Sequence, residues 1–236
     1  MEEVENKNSP DRHIRSYVLR TGRITPAQTR ALSELGPAFI LELHPGALID
    51  PEASFGRKAP LVLEIGFGMG QSFIRMAAAD PNSNYLGIEV HPPGVGATLL
   101  KIQELKLNNV RIIRADAYEV LQQYLPAQST DIVQIFFPDP WPKKRHHKRR
   151  LINAEFLKML AKILKPGGQL RLATDWEDYA LQMLELLTAA AEFENLAPNG
   201  GFFPRPEWRP VTKFEKRGER LGHGVWDLLF ERRREH

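Results

Sequence analysis

"LVLEIGFGMGQSF", residues 61–73, joins a short apolar run to a glycine-rich turn and then to residues with helical spacing. The glycines of this turn, Gly66, Gly68 and Gly70, let the backbone bend tightly and let a ligand approach the main chain without meeting a Cβ atom. The stretch therefore predicts a strand, a ligand-binding turn and a helix that begins near Gln71.

Further apolar or β-branched runs follow at regular intervals, and stretches with helical spacing separate them. They are NYLGIEV (84–90), VRIIRA (110–115), DIVQIFF (131–137), QLRLAT (169–174) and VWDLLFERR (225–233). The clearest helix is LINAEFLKMLAKIL (151–164), which Pro166-Gly167-Gly168 is expected to end. Strands that alternate with helices predict an α/β fold with a doubly wound, mostly parallel sheet and helices on both faces.

The chain is predicted to hold one domain, residues 25–236, after a partly mobile N-terminal tail, residues 1–24. The tail is highly charged and shows little periodic hydrophobicity. The first helix is expected to begin at Thr25-Pro26-Ala27-Gln28, where Thr25 and Gln28 can form a capping box. A chain of 236 residues is long enough to bury a large core.

Composition favours a cytoplasmic protein with a polyanionic partner. Lysine and arginine number 32 against 29 acidic residues, which gives a formal net charge of +3. The sequence has no cysteine, so disulfides, thiolate nucleophiles and thiolate-based zinc sites are excluded. No apolar run is long enough to predict a membrane span or a secretion signal.

The glycine turn departs from the dinucleotide-binding pattern. That pattern requires G-x-G-x-x-G or alanine in the third small position, where the residue packs a helix closely against the sheet. Position 71 is glutamine. The turn therefore argues against a nicotinamide or flavin cofactor.

Acidic residues near the ends of the first three strands indicate a different ligand. Glu64 places negative charge beside the turn, which suits a cation better than a phosphate. Glu89 can accept hydrogen bonds from ribose hydroxyls, and Asp116 with the Ala117 amide can read an adenine edge. S-adenosylmethionine, an adenosyl sulfonium, meets these requirements. The alternative is a plain turn with solvated acids.

The fourth strand leads into "FFPDPWPKKRHHKRR", residues 136–150, which holds Asp139 between two prolines. Trp141 offers a stacking face beside it. A carboxylate near a methyl donor can grip the N–H groups of a guanine while the ring nitrogen 7 keeps a free lone pair. Alignment alone can then contribute roughly 7 to 11 kcal/mol to the reaction. The alternative is a rigid surface turn.

The run KKRHHKRR, residues 143–150, contains six lysines and arginines and is predicted to bind nucleic-acid phosphates. The residues predicted to contact RNA are Arg145, His146, His147, Lys148, Arg149 and Arg150. A solvated face or a nuclear localisation signal is the alternative for an isolated run. Two adjacent histidines without a third spaced ligand or any cysteine do not predict a metal site.

Taken together, these segments resemble the tRNA (guanine-N7-)-methyltransferase family from about residue 12 onward. The resemblance rests on IRSYVLRTGRITPAQ, LEIGFGMGQSF, YLGIEVHPPGVG, RADA, FFPDPWPKKRHHKRR, ATDWEDYA and TKFEKRGERLGHGVWDLLF. It implies a Rossmann-like class I methyltransferase fold with an antiparallel C-terminal edge strand. It also implies that the product is 7-methylguanosine in the tRNA variable loop.

The resemblance assigns roles to individual residues. Glu64, Glu89, Asp116 and Asp139 fall on cofactor positions, and Asp139 is also the residue usually assigned to catalysis. Lys143 and Asp175 match substrate-contacting positions, although Asp175 is alternatively the N-cap of the next helix. The C-terminal substrate segment is Thr212, Lys213, Phe214 and Glu215.

The sequence is less compatible with three other functions than with a tRNA methyltransferase. A catalytically silent RNA-binding module would not need the acidic residues at the strand ends. A nicotinamide oxidoreductase is disfavoured by Gln71, and a methyltransferase of proteins or small amines leaves the basic run unexplained. The expected partner is tRNA; no obligate protein partner is evident, and the protein is expected to be a monomer or a homodimer.

Overall fold

The computed structural model describes residues 14–18, 22–211, 215 and 224–234. Within them, one sheet contains seven strands: β1 Leu61–Ile65, β2 Asn84–Ile88, β3 Val110–Ile113, β4 Thr130–Phe136, β5 Leu164–Thr174, β6 Phe193–Asn195 and β7 Trp226–Arg232. The helices are α1 Pro26–Glu34, α2 Gly36–Phe39, α3 Pro51–Phe55, α4 Gln71–Ala79, α5 Pro92–Leu105, α6 Ala117–Gln123, α7 Ala154–Ile163 and α8 Glu177–Ala189. A 3₁₀ helix spans Lys144–Arg149.

The strand order is β3-β2-β1-β4-β5-β7-β6. Strands β1 to β5 are parallel, whereas β7 is antiparallel to β5 and β6 is antiparallel to β7. The predicted doubly wound sheet with an antiparallel C-terminal strand is therefore confirmed, although the short β6 lies outside β7. The order reverses between β1 and β4, and open α/β sheets bind ligands at such a reversal.

Two apolar layers cover the sheet. One contains Phe156 and Leu160 of α7 and Tyr179 of α8, and the other contains Phe73 of α4 and Leu99 of α5. Each of these side chains is completely or almost completely buried. The sheet is thus covered on both faces, so that functional side chains concentrate at the strand ends.

Helix boundaries follow local capping. Thr25 and Gln28 exchange hydrogen bonds of 2.9 and 3.3 Å, which confirms the capping box at α1. The predicted helix of residues 151–164 begins later, at Ala154, because the Asn153 side chain accepts from the Phe156 amide. Strand β5 then starts at Leu164, directly after α7, and includes Pro166-Gly167-Gly168 beside a register shift in β4.

The division into a tail, residues 1–24, and one domain, residues 25–236, stays a prediction. Residues 1–13 and 19–21 of the tail lie outside the described residues. No helix in the described part of the chain is both long enough and apolar enough to cross a bilayer.

Candidate active site

Two adjoining clefts open at the carboxyl ends of β1 to β4. The first cleft, of about 240 Å³, is lined by residues that follow each of these strands, among them Gly66, Glu89, Asp116, Ala117 and Asp139. The second cleft, of about 500 Å³, is lined by His91, the segment Pro140–Pro142 and Val18. Tyr17, Glu89, Val90 and Asp139 line both clefts.

The glycine turn has the conformation that its sequence predicts. Gly66, Gly68 and Gly70 all adopt positive φ angles, of 74°, 56° and 71°. A Cβ atom on Gly70 would lie 2.1 Å from Oγ1 of Thr98, whereas one on Gly66 would meet nothing within 4 Å. The turn thus packs tightly against α5 on one side and leaves room for a ligand at Gly66.

Glu89 holds the glycine turn and also lines both clefts. Its carboxylate accepts hydrogen bonds from the amides of Gly68 (2.8 Å), Val90 (2.8 Å) and His91 (3.0 Å). A carboxylate has about four acceptor sites. About one site therefore remains for a ribose hydroxyl.

Glu64 is buried behind the turn, one residue before the cleft-lining Ile65. Only 3% of Glu64 is exposed to solvent. Its Oε2 atom has no hydrogen-bond partner among the described residues. Gln134 is the register partner of Glu64 on β4. Its Oε1 atom is also buried without a hydrogen-bond partner among the described residues. Burial raises the pKa of Glu64 to about 8. Glu64 lines neither cleft itself, but a cation bound close to the turn would favour the ionised form of its buried carboxyl group.

Asp116 caps a helix as well as lining the first cleft. Its Oδ1 atom accepts from the Tyr118 amide (2.9 Å) at the N-terminus of α6. The Tyr17 side chain is hydrogen-bonded to the same carboxylate, and burial together with Asp116 raises the pKa of Tyr17. Asp116 is therefore already oriented by two protein groups at the place where the sequence predicts adenine recognition.

Tyr17 is a cleft residue that the sequence does not predict. Residues 16–18 reach the clefts, where the Trp141 indole N–H donates to the Ser16 carbonyl (2.9 Å). The only local signal is a tyrosine in a basic stretch, and this does not specify its contact with Asp116, which follows much later in the chain.

Asp139 projects from a strained corner. Phe137 and Trp141, two residues before and after it, adopt left-handed φ angles of 52° and 46°, a conformation uncommon for residues other than glycine. The Phe137 amide is held by the Ala173 carbonyl of β5 (2.8 Å). The corner thereby places Asp139 in the wall that the two clefts share.

The structure corrects the role predicted for Arg150. Its side chain is 1% exposed. Its guanidinium donates to the Pro140 carbonyl (2.8 Å), to Asp178 Oδ2 (2.6 Å) and to the Gln182 side chain. It also lies 3.2 Å from Nε2 of His147. Arg150 therefore fastens the proline corner to α8 instead of presenting a cation to a ligand.

The rest of the basic run forms a surface beside the second cleft. Lys143, Lys144, Arg145 and Lys148 are exposed. The Arg149 guanidinium lies 4.5 Å from the centroid of the Trp141 ring, and the His146 ring meets the same indole edge-on at 5.8 Å. We refer to these residues, 143–146, 148 and 149, as the basic surface.

The other predicted substrate residues are not gathered in the clefts. Asp175 is exposed directly after β5, at the same sheet edge as Asp139, and the N-cap of α8 is Trp176 instead. The Glu215 side chain is fully buried and accepts two hydrogen bonds from Arg209. In this conformation it cannot contact a substrate directly. Thr212, Lys213 and Phe214 lie outside the described residues. Within the described ranges, no group of three histidine or acidic side chains could hold a metal ion.

Comparison with known proteins identifies the class. A family model described as "Putative methyltransferase" matches residues 58–228. Among solved structures, the 16S rRNA methyltransferase KamB superposes with a TM-score of 0.53 at 15% identity, covering 79% of this chain and 95% of the other. The [4+2]-cyclase SpnF superposes with a TM-score of 0.52 at 17% identity, covering 90% and 98%. The likeness in structure shows the fold alone; with the family match, it defines a Rossmann-like class I methyltransferase.

Relatives in sequence narrow the class further. The protein named tRNA (guanine-N(7)-)-methyltransferase from Alcanivorax borkumensis is 55% identical over 94% of this chain and 92% of its own length. The protein of the same name from Thiobacillus denitrificans is 57% identical over 93% and 96%. The chain belongs to the tRNA (guanine-N7-)-methyltransferase family. Its cofactor is S-adenosylmethionine. The Oε2 atom of Glu64, which has no hydrogen-bond partner among the described residues, and the open face of Gly66 fit a cationic ligand of this kind.

Proposed function

We propose that this protein methylates nitrogen 7 of a guanine in the variable loop of tRNA. The observation that carries the proposal is the position of Asp139, which lines both clefts beside the basic surface. A methyl donor in the first cleft and a nucleobase in the second would then meet at one carboxylate. The names of the relatives support guanine nitrogen 7 as the acceptor atom and tRNA as the substrate.

The first cleft is proposed to hold the cofactor through residues that already have defined positions. Glu89 would take a ribose hydroxyl, Asp116 and the Ala117 amide would read the adenine edge, and Glu64 would face positive charge. When bound, S-adenosylmethionine supplies a methyl group on a sulfonium, which a lone pair can accept without prior loss of a proton.

The second cleft is proposed to hold the acceptor base. The Asp139 carboxylate would accept hydrogen bonds from the Watson–Crick edge of guanine, and Trp141 and its neighbouring prolines line the same cleft. Because nitrogen 7 carries its lone pair at neutral pH, no general base is needed. The proposed contribution of the protein is therefore alignment of the lone pair with the methyl group, which can lower the barrier by roughly 7 to 11 kcal/mol.

The alternative of a catalytically silent RNA-binding module is not favoured. The relatives that cover nearly the whole chain are named as methyltransferases, and the acidic residues of the first cleft are all present. A tRNA substrate supports the cytoplasm as the place of action. The oligomeric state, monomer or homodimer, stays a prediction.

The proposed function is tested with unmodified tRNA and methyl-labelled S-adenosylmethionine. We expect label in 7-methylguanosine after digestion, at one position in the variable loop. A tRNA transcript with adenosine in place of the target guanine is the matched control and should remain unlabelled. Absence of label in the first transcript, with folded protein that binds the cofactor, would reject the proposal.

Two neighbouring arginines provide a test of the basic surface. Arg149→Ala should weaken tRNA binding and reduce the slope of log Kd against log salt by about one, because one phosphate contact is lost. Arg150→Ala should leave that slope unchanged, because its side chain does not reach the surface. The measurement is filter binding or fluorescence anisotropy across a range of salt concentrations.

In thermal stability, Arg150→Ala should be the affected variant and Arg149→Ala the unaffected one. Removing Arg150 leaves the Pro140 carbonyl without its donor, which costs on the order of 2 kcal/mol. For a chain of this size, the melting temperature should fall by about 4 to 8 °C. Arg149→Ala should melt close to the wild type. A salt slope reduced by about one in Arg150→Ala would show that Arg150, too, contacts RNA, and an unchanged slope in Arg149→Ala would contradict the role of the basic surface.

A further inference from the structure

A buried cluster of charged side chains lies beside β7, the C-terminal strand of the sheet. Arg209 donates to Asp227 of β7 at 2.6 and 2.9 Å and to Glu215 at 2.9 and 2.8 Å. The exposed fractions of these three side chains are 1% for Arg209, 4% for Asp227 and 0% for Glu215. Arg205 lies 3.5 Å from Glu215 and supplies a second cation, so that two positive and two negative groups balance.

The cluster touches the corner that carries Asp139. The Arg209 guanidinium lies 5.6 Å from the centroid of the Phe137 ring, within the range of a cation–π contact. Phe137 has a left-handed backbone, and its amide is bound to the Ala173 carbonyl. Ala173 is in turn the register partner of Asp227. Arg209 and Asp227 thus support, from two directions, the residue that begins the corner.

The guanidinium group suits this position better than an ammonium group would. A planar guanidinium donates in pairs to two carboxylates and presents its flat face to an aromatic ring at the same time. Lysine has one compact charge and cannot make both sets of contacts. The identity of the residue at position 209 therefore affects geometry as well as charge.

We propose that Arg209 is a positioning residue for methyl transfer, which sets the Phe137 backbone, and through it Asp139, by joining the corner to Glu215 and Asp227. This inference rests on the proposed function. It gives Glu215 an indirect role: the carboxylate, instead of contacting the substrate, completes the cluster that orients the corner.

Arg209→Lys tests the proposal with two measurements. The first is the single-turnover rate of methyl transfer at saturating tRNA and cofactor, at a temperature well below melting. We expect it to fall by about 10- to 100-fold, because small displacements of an aligning group have effects of this size. The Kd values for tRNA and S-adenosylmethionine should stay within about threefold of the wild type, since the cluster lines neither cleft.

The second measurement does not depend on activity. Hydrogen exchange of the Phe137 amide, followed in the protein without ligands, should become at least about tenfold faster, because this amide is protected only while the corner is held against β5. If the wild type methylates no tRNA, the proposed function fails, and the exchange rate still reports whether Arg209 holds the corner. A wild-type exchange rate in Arg209→Lys would overturn the proposal.

Two further variants separate positioning from general stability. Glu215→Gln keeps the side-chain volume and should reproduce both effects, which also serves if Arg209→Lys does not fold. Leu187→Ala removes a buried side chain at the far end of α8 and should lower the melting temperature with a single-turnover rate like the wild type. An unchanged rate in Glu215→Gln, or a raised Kd for tRNA as its only defect, would contradict the positioning role.

Discussion

Asp139→Ala is expected to reduce the single-turnover rate of methyl transfer by about 10²- to 10³-fold, the effect typical of removing one group that is oriented for the transition state. Asp139 lies in the wall shared by both clefts, so its loss frees the acceptor base to rotate away from the methyl group. The affinity for tRNA should change little, because the phosphate contacts are proposed to come from the basic surface. Rapid-quench kinetics with labelled cofactor measure the rate.

Asp139→Asn is the matched control for this prediction. The amide keeps the shape and one acceptor oxygen but loses the negative charge, so that it can hold only part of the guanine edge. We expect a rate between those of the alanine variant and the wild type. If Asp139→Ala transferred methyl groups at the rate of the wild type, alignment by this carboxylate would be refuted.

Cofactor affinity is expected to weaken as pH falls below about 8. Burial raises the pKa of Glu64 to about 8, so that at pH 7 most molecules without ligand carry a neutral carboxyl group. A cationic cofactor favours the ionised form, and binding must then release a proton. The Kd for S-adenosylmethionine should therefore rise as the pH falls from 8 to 6. The rise should approach about tenfold for each pH unit toward the lower end of this range.

Glu64→Gln separates this effect from other titrations. The variant should bind the cofactor weakly at every pH and show no proton release in calorimetry with buffers of different ionisation enthalpy. The stability of the protein without ligand changes with pH in the opposite direction. Because the pKa of Glu64 is higher in the folded state than in the unfolded state, this residue stabilises the fold fully only below its unfolded pKa, and that stabilisation is lost as the pH rises through about 8. Glu64→Gln should therefore melt at a higher temperature than the unliganded wild type at pH 9. A pH-independent Kd in the wild type would rule out this role of Glu64.

The residues around the first cleft could be predicted because they are tied to the fold by local rules. Parallel strands end at one edge of a sheet, so that side chains following β1 to β4 must meet there. Glu89, Asp116 and Asp139 do so. The glycine turn was predictable for the same reason, since positive φ angles at Gly66 and Gly70 follow from a strand that must turn at once into a helix.

The residues that the sequence misplaced depend on contacts between distant segments. Arg150 belongs to a run of cations, and its burial follows only from Asp178 and Gln182 on α8, about thirty positions later. Glu215 is buried against Arg209, which also binds Asp227. Charge patterns in a sequence show which groups are ionised; they do not show which of them pair with each other inside the protein.

The backbone angles of Phe137 and Trp141 have a consequence for attempts to make this enzyme more heat-resistant. Glycine adopts left-handed angles without the steric penalty that other residues meet, and a screen for melting temperature alone would therefore favour Phe137→Gly or Trp141→Gly if their lost side-chain contacts were compensated elsewhere. Such gains at strained sites commonly reduce function. Selection for a higher melting temperature at this corner should thus yield variants that are more stable but transfer methyl groups more slowly.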